Sequence, residues 1–274
     1  MVLRVSGRNA RFQQWEALLH NRTKRQRRGE FLVQGVRPIV MAVEHGWQIR
    51  ELLYNTGVAL SGWARDLLET VRAEKIAVSR ELMHELGGKA DDVPELLAVV
   101  ALPEDDLRRI PTGPTMLTVV FDRPTSPGNI GTLVRSADAF GASGVIITGH
   151  AADVYDPKAV RASTGSLFAL PVVRVPARQA VLSWGVDVRA GGIGMSVVGT
   201  DELGALDVAD YDFRQPTLIV IGNETTGLSS GWREACDQVV RIPMSGAASS
   251  LNAATAATVV LYESARQRTA AARR

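Results

Sequence analysis

Apolar positions along this chain follow two rhythms. Up to about residue 102, short apolar runs alternate with stretches whose apolar residues recur at helical spacing. "EFLVQ" predicts a strand, Gly35 a turn, Pro38 to Glu44 a helix, and "IRELLYN" a second strand. Helical spacing returns in "SGWARDLLETVRAEK", with Ser61 as a good N-cap. "IAVSRELMHEL" predicts a strand running into a capped helix, and "LLAVVAL" another strand. Prolines and charges in "PEDDLRRIPTGPT" then break both periods. Beyond them the units lengthen. "MLTVVFD", "SGVIITG", "PVVRV", "MSVVGTD", "PTLIVIGNE" and "QVVRIPM" predict strands. "RPTSPGNIGTLVRSADAFGA" predicts a loop and a helix, "DPKAVRASTGSLFAL" is mostly helix, and the Ala-rich end is a helix.

This pattern predicts an α/β protein. Residues 1–105 form a small α/β domain with a basic amino-terminal arm, 106–115 a linker, and 116–274 a mostly parallel sheet with helices on both faces. Ligands of such sheets bind beyond the carboxyl ends of the strands. The candidate ligand-binding stretches are therefore Asp122 to Ile130, Gly199 to Asp201, Gly222 to Gly227 and Met244 to Asn252. The last stretch has no bulky side chain from Ser245 to Ser250. A helix cap needs one residue, so six small ones point to a loop whose backbone something approaches closely.

Composition narrows the chemistry. A single cysteine, Cys236, rules out an internal disulfide framework and a Cys-rich zinc site, which makes a reducing cytoplasm the default. Four scattered histidines give little support for a metal cluster or a Ser-His-Asp triad. The expectation is no metal. No apolar run approaches membrane-spanning length, and the start has no secretory h-region. There is no GxxxxGK[ST], and "GGIGMS" lacks dinucleotide spacing and precedes a strand. The turn after "MLTVVFD" is not Gly-rich, which speaks against Rossmann-type adenosylmethionine enzymes.

Charge is nearly balanced overall, at +2, but residues 1–30 hold eight basic side chains against two acidic ones. The run "NRTKRQRRGE" is the densest part. It reads as a solvated arm or as phosphate-contacting Arg and Lys, the footprint of a nucleic-acid binder. Arg8, Arg11, Arg22, Lys24, Arg25, Arg27 and Arg28 are the candidates, with Arg161 in "VRASTGS" a further RNA contact. Phe12 and Trp15 lie among these charges. They stack on bases or pack onto the domain.

Three blocks carry a resemblance: "NIGTLVRSADAFGA" at 129–142, "LIVIGNETTGLS" at 218–229 and "IPMSGAASSLNAATA" at 242–256. In this order the chain resembles the SpoU (TrmH) family of RNA 2′-O-ribose methyltransferases, of the SPOUT class. "GEFLVQGVRPIVMAVEHG" looks like the substrate-binding domain that precedes catalysis in many members. The opening "SGRNARFQQW" and the basic run look closest to the antibiotic-resistance branch acting on large-subunit rRNA, of the thiostrepton and avilamycin types.

The resemblance implies a deep trefoil knot, S-adenosylmethionine as cofactor, and a homodimer whose site is completed across the interface. It implies a cofactor pocket lined by Gly222, Ile242 and Leu251, with Val198, Gly199, Thr200 and Met244 as neighbours. Arg135 becomes the candidate for catalysis, as base or as electrostatic anchor. Arginine is almost always protonated, so anchoring the phosphate and the developing alkoxide is the preferred role. Asn129 orients the ribose or Arg135, and Glu224 fixes the loop or Arg135. Ser250 and Asn252 hydrogen-bond phosphate or ribose. As plain structure, Asn129, Ser250 and Asn252 are helix caps, Glu224 a surface charge, and Ile242 and Leu251 core. Two rival functions share these residues: a tRNA methyltransferase of the same fold, and a non-catalytic RNA-binding homologue.

Overall fold

The computed structural model describes residues 3–87 and 93–273. The chain divides into two compact units. One holds residues up to 103 together with 153–169; the other holds 104–152 together with the chain from 170 onward.

The first unit starts with β1 (Leu3–Val5), α1 (Ala10–His20) and α2 (Arg22–Arg28). It continues through β2 (Glu30–Gln34), α3 (Val36–Glu44), β3 (Ile49–Asn55), α4 (Gly62–Thr70), β4 (Glu74–Val78), α5 (Arg80–Gly87) and β5 (Leu96–Ala101). Its sheet runs β1-β4-β3-β5-β2, parallel from β1 to β3, with β5 antiparallel to both its neighbours. The Ser61 side chain accepts from the Ala64 N–H and caps α4, as its position in the sequence suggests.

The basic run is not an arm. It is α2, and it has a defined start and stop. The Asn21 side chain accepts the Lys24 N–H at 3.1 Å, and Gly29 ends the helix at φ 64°, a left-handed cap suited to glycine. Before it, Phe12, Trp15, Leu18 and Leu19 recur at helical spacing on α1 and are buried against Leu53, Ile76, Val78 and Leu82. Phe12 and Trp15 are 0% and 2% exposed, so they pack onto the domain and do not stack on bases. The Trp15 indole donates to Glu51 at 2.6 Å.

The second unit opens with β6 (Leu117–Asp122), α6 (Pro127–Ala139) and β7 (Gly144–Thr148). The chain then passes through α7 (Pro157–Ser163) and α8 (Ser166–Ala169), which belong to the first unit. There the Phe31 ring lies 4.8 Å from Tyr155, and Trp47 meets Phe168 edge-on at 5.1 Å. The Trp47 indole also donates to the Phe168 carbonyl at 2.9 Å. This aromatic cluster draws the segment out of the 116–274 stretch to which its sequence position assigns it.

The rest of the second unit is β8 (Val172–Val175), α9 (Arg178–Ala190), β9 (Ser196–Thr200), β10 (Leu206–Asp207), β11 (Thr217–Ile221), α10 (Ser230–Ala235), β12 (Gln238–Arg241) and α11 (Ala253–Ala272). Seven parallel strands run β10-β12-β9-β11-β6-β7-β8. Strands buried on both faces read as unbroken apolar runs, and β6, β7 and β11 are buried at every position. From β6 the chain builds one way through β7 and β8 and the other way through β11, β9 and β12. Strand order therefore reverses beside β6, where open α/β sheets form a ligand crevice. Helix α11 packs on α6, with the Ser136 and Thr258 hydroxyls 2.7 Å apart. Among the described residues no helix is long and apolar enough to cross a membrane.

Candidate active site

The carboxyl ends of β9, β11 and β12 open on one cavity of about 520 Å³. Thr200 and Asp201 line it from β9, Ile221 through Gly227 from β11, and Ile242 and Met244 from β12. Ser249, Ser250 and Leu251 line it on the approach to α11. Of the seven residues expected at a cofactor, Thr200, Gly222, Ile242, Met244 and Leu251 face this cavity. Val198 and Gly199 are not among the lining residues. Val198 is fully buried inside β9, and a Cβ on Gly199 would stand 2.7 Å from Leu228 and 2.9 Å from Cys236. They belong to the core beneath the cavity. Ile242, by contrast, is only half-buried, and Met244 and Leu251 are exposed at 40% and 38%, so none of the three is core.

Gly222 has a local reason to be glycine. A Cβ there would lie 2.3 Å from the Gly227 carbonyl carbon and 2.4 Å from the Leu228 nitrogen. Backbone cannot give way as a side chain can. Residues 223–227 fold back into a tight turn closed by paired bonds of 3.0 Å between the Asn223 and Gly227 main chains. Gly227 takes φ +64° to complete it.

Glu224 leaves that turn and reaches toward the amino end of α6. One carboxylate oxygen accepts from the Thr125 N–H at 2.9 Å and the Thr125 hydroxyl at 3.1 Å. The other accepts from the Ser126 N–H and the Asn129 amide, both at 3.1 Å. Burial pushes its pKa up. The donors from Thr125, Asn129 and Ser126 outweigh that and hold it below the ordinary carboxylate value. Four donors thus hold the Glu224 carboxylate at the amino end of α6.

The network continues. The Asn252 amide donates to the Asn129 side-chain oxygen at 3.1 Å, while its own oxygen accepts the Ala254 and Thr255 N–H groups and caps α11. Asn252 is thus both a cap and a member of the cluster. Asn129 is not a cap: Ser126 caps α6, with Pro127 at its first position. Glu224, Asn129 and Asn252 are brought together, and Ser250 faces the cavity beside them in sequence. Arg135 is not brought in. It is exposed on α6, six residues or roughly 9 Å of helix beyond Asn129, and among the described residues no hydrogen bond or ion pair engages it.

Some lining residues lie outside the sequence candidates. Arg233 of α10 forms an ion pair with Asp201 at 2.5 Å on the cavity wall, joined there by Glu202, Leu203, Ala253 and Ala256. Asp201 stands in a strand-end stretch, but nothing in the sequence marks its partner 32 residues away. Burial, then the neighbouring Asp237, pushes the Cys236 thiol up to about 12, which disfavours the thiolate. Among the described residues no group of three or more His, Cys, Asp or Glu is placed to hold a metal ion.

The basic candidates of the first unit separate by environment. Arg25 is 2% exposed, pairs with Asp153 at 2.7 Å and donates to the Leu18 and Leu19 carbonyls. It cannot touch a phosphate, which corrects its assignment. Arg11 is held by Glu51 and Glu74, Arg8 by Glu16 with its guanidinium 5.4 Å from the Phe12 ring, and Arg28 by Glu30. Lys24 and Arg27 are exposed on α2, and Arg22 is half-buried. Arg161 is exposed and donates to Gln34 at 3.4 Å.

Comparison with known proteins places this geometry. Residues 9–98 match the SpoU L30e-like domain and residues 116–262 match the SpoU rRNA Methylase family. A curated relative, the 23S rRNA (uridine(2479)-2′-O)-methyltransferase of Streptomyces viridochromogenes, is 63% identical over 265 residues, covering 97% of this chain and 92% of the relative. The crystal structure of the SpoU methyltransferase AviRb from the same organism, in complex with the cofactor AdoMet, superposes with a TM-score of 0.93 at 63% identity, over 96% of this chain and 99% of that one. An AdoMet-bound rRNA methyltransferase from Sinorhizobium meliloti follows the fold at 27% identity and a TM-score of 0.85, over 97% of this chain and 98% of that one. With both units matched and the motif residues gathered at one set of strand ends, the chain belongs to the SpoU rRNA methylase family.

Proposed function

We propose that this protein methylates a ribose 2′-hydroxyl of 23S rRNA with S-adenosylmethionine as the methyl donor. The observation that carries the reading is the Glu224–Asn129–Asn252 network at the mouth of the strand-end cavity. Identity of 63% along 97% of the chain to a 23S rRNA 2′-O-methyltransferase supports the substrate class. The cavity fits the donor in size, since sites for ligands of this kind run from about 300 to 1,000 Å³. Its lining also fits. Ile242, Met244 and Leu251 are apolar, and the small residues Ser249 and Ser250 let a ligand approach the backbone beside them.

Bound there, S-adenosylmethionine supplies an activated sulfonium methyl group. The residues of the chain must align a ribose oxygen with it, so that the oxygen–methyl bond forms as the sulfur–methyl bond breaks and the hydroxyl proton passes to solvent. Gly222, Thr200, Ile242, Met244 and Leu251 hold the donor. Asn129, fixed on one side by Glu224 and on the other by Asn252, is oriented without freedom to rotate and positions the ribose. Ser250 contributes a hydroxyl at the cavity edge. Arg135, a permanent cation, anchors the target phosphate and stabilises the alkoxide as it forms.

The working enzyme is a homodimer, as the family resemblance implies. Two features support this: among the described residues Arg135 has no intrachain ion-pair or hydrogen-bond partner, and Tyr262 of α11 is 56% exposed beside Phe140. The path from β12 through 242–252 to α11, which returns to pack on α6, supports a knotted carboxyl end. Exposed Lys24 and Arg27, with Arg22 and Arg161, serve RNA contact in the first unit. A cytoplasmic location follows from an rRNA substrate. Protection of the ribosome from a drug bound near the modified ribose follows from the resemblance to resistance enzymes.

The test is direct. Protein and labelled S-adenosylmethionine are incubated with 23S rRNA, 50S and 30S subunits and tRNA, and the product is mapped by primer extension and alkaline digestion. An alkali-resistant dinucleotide from 23S rRNA is expected. Label confined to tRNA, or to a base, overturns the reading. Arg135→Ala should lower turnover by roughly 100-fold or more while leaving the donor dissociation constant unchanged.

A further inference from the structure

Asn223 stands beside Glu224 on the same turn and holds two loops at once. Its side-chain oxygen accepts the Thr225 N–H at 2.9 Å, the Thr226 N–H at 3.0 Å and the Thr226 hydroxyl at 3.3 Å. These bonds shape the turn that lines the cavity. Its side-chain NH₂ points the other way and donates to the Arg123 carbonyl at 2.6 Å. One planar amide thus ties the cavity wall to the loop that leads into α6.

The far end of that tie is rigid. Arg123 sits at φ 52°, a left-handed conformation that a non-glycine residue adopts only at a cost. Three bonds hold it there. Its N–H donates to the Thr148 carbonyl at 2.9 Å, its guanidinium to buried Asp122 at 2.9 Å, and its carbonyl accepts from Asn223. Asp122 is itself fixed by the Thr148 hydroxyl at 2.8 Å. Gly149 leaves the space: a Cβ there would lie 2.4 Å from the Arg123 side chain. Three residues further on, Glu224 takes up the Ser126 N–H. Consecutive side chains, Asn223 and Glu224, therefore fasten both ends of the 123–126 loop whose continuation presents Asn129.

We propose that Asn223 is a positioning residue that couples occupancy of the cavity to the alignment of the 123–129 loop, so that donor binding and ribose binding strengthen each other. The inference rests on the methyltransferase reading above. A ligand against the 223–227 turn bears on Thr225 and Thr226, hence on the Asn223 amide plane, hence on Arg123 and the start of α6. Coupling between two sites is reciprocal: RNA tightens the donor by the factor by which the donor tightens RNA.

The test measures S-adenosylmethionine affinity by calorimetry with and without a 23S rRNA fragment that the wild type methylates, together with turnover. In the wild type, RNA should tighten the donor about fivefold or more. Asn223→Asp keeps the oxygen that shapes the turn and loses the donor to Arg123. It should bind S-adenosylmethionine alone within about threefold of wild type, show no tightening by RNA, and turn over roughly 10- to 100-fold more slowly at saturating substrates. Asn223→Ala, which loses both functions, should also weaken the donor alone. Asn223→Ser separates geometry from the added charge of aspartate, and it too should lack coupling. Wild-type affinity unchanged by RNA overturns the proposal. So does an Asp variant that keeps coupling and turnover, or one that binds the donor alone no better than the Ala variant. Absence of any donor binding by the wild type would instead overturn the methyltransferase reading itself.

Discussion

Helix α2 and the Ser/Gly segment 245–250 keep their shapes by opposite means. Helix α2 is dense in charge, yet capped at both ends and pinned through its middle by Arg25, which is buried in an ion pair with Asp153. Segment 245–250 carries no charge and small side chains, yet every residue in it is exposed, and its order comes from what flanks it: β12 on one side and the Asn252 cap of α11 on the other. The tightly built part of the cavity is instead the turn at 223–227, where Gly222 is pressed against backbone. Charge density alone is thus a poor guide to mobility, and small residues alone are a poor guide to close packing. What separates the two regions is whether polar groups find partners inside the fold.

The sharpest way to break this comparison is at the glycines. Gly222→Val should cost about 100-fold or more in S-adenosylmethionine affinity and lower the unfolding midpoint, because the 223–228 backbone must move. Gly246→Ala should leave the midpoint unchanged, since nothing lies within 4 Å of a Cβ there. Equal midpoints for the two variants would mean that the turn is not strained. Next in size is Arg25→Ala, which leaves Asp153 buried without its partner. It should destabilise the protein by about 3–5 kcal/mol in a denaturant titration. Loss of RNA affinity at unchanged stability would return Arg25 to the RNA-contacting set.

A smaller effect is expected from the exposed cations of the same helix. Lys24→Glu with Arg27→Glu should flatten the slope of log affinity against log salt by roughly 0.7 to 0.9 for each phosphate no longer neutralised, without changing donor affinity. Identical slopes would assign RNA contact elsewhere. The smallest effect concerns pH. The folded-state pKa of Glu224 is depressed, so its stabilising bonds are fully present above the ordinary value of 4.5 and are lost as pH falls through the lower folded value. The thermal unfolding midpoint of Glu224→Gln should therefore vary less with pH below about 4.5 than that of wild type, read by circular dichroism. Parallel curves would show that the carboxylate charge contributes nothing.

The strands of the second unit are legible in the sequence because a strand buried on both faces must be apolar throughout, as β6 and β11 are. The Ser61 cap is legible because capping is local. Helices α1 and α2 are written there as well: Phe12, Trp15, Leu18 and Leu19 keep helical spacing, and Asn21 and Gly29 bracket the basic run. The density of charge between them masks that pattern. Helix α9 escapes the periodicity because its buried residues are only Val181, Gly185 and Val188. At the site, the motifs single out Asn129, Glu224 and Asn252 but not Asn223, which chemically resembles any other turn asparagine.

By itself the sequence determined the class of fold, the ends of the strands on which a ligand would sit, and, through three ordered blocks, the family. Those properties depend on residue type and short-range spacing, which the chain carries openly. Tertiary structure decided which polar groups are consumed internally. Arg25 meets Asp153 from 128 residues away, Asn223 meets Arg123 from 100, and Asn129 meets Asn252 from 123. The net worth of a charge or an amide depends on whether such a partner is close enough to replace water, and only the folded chain sets that distance.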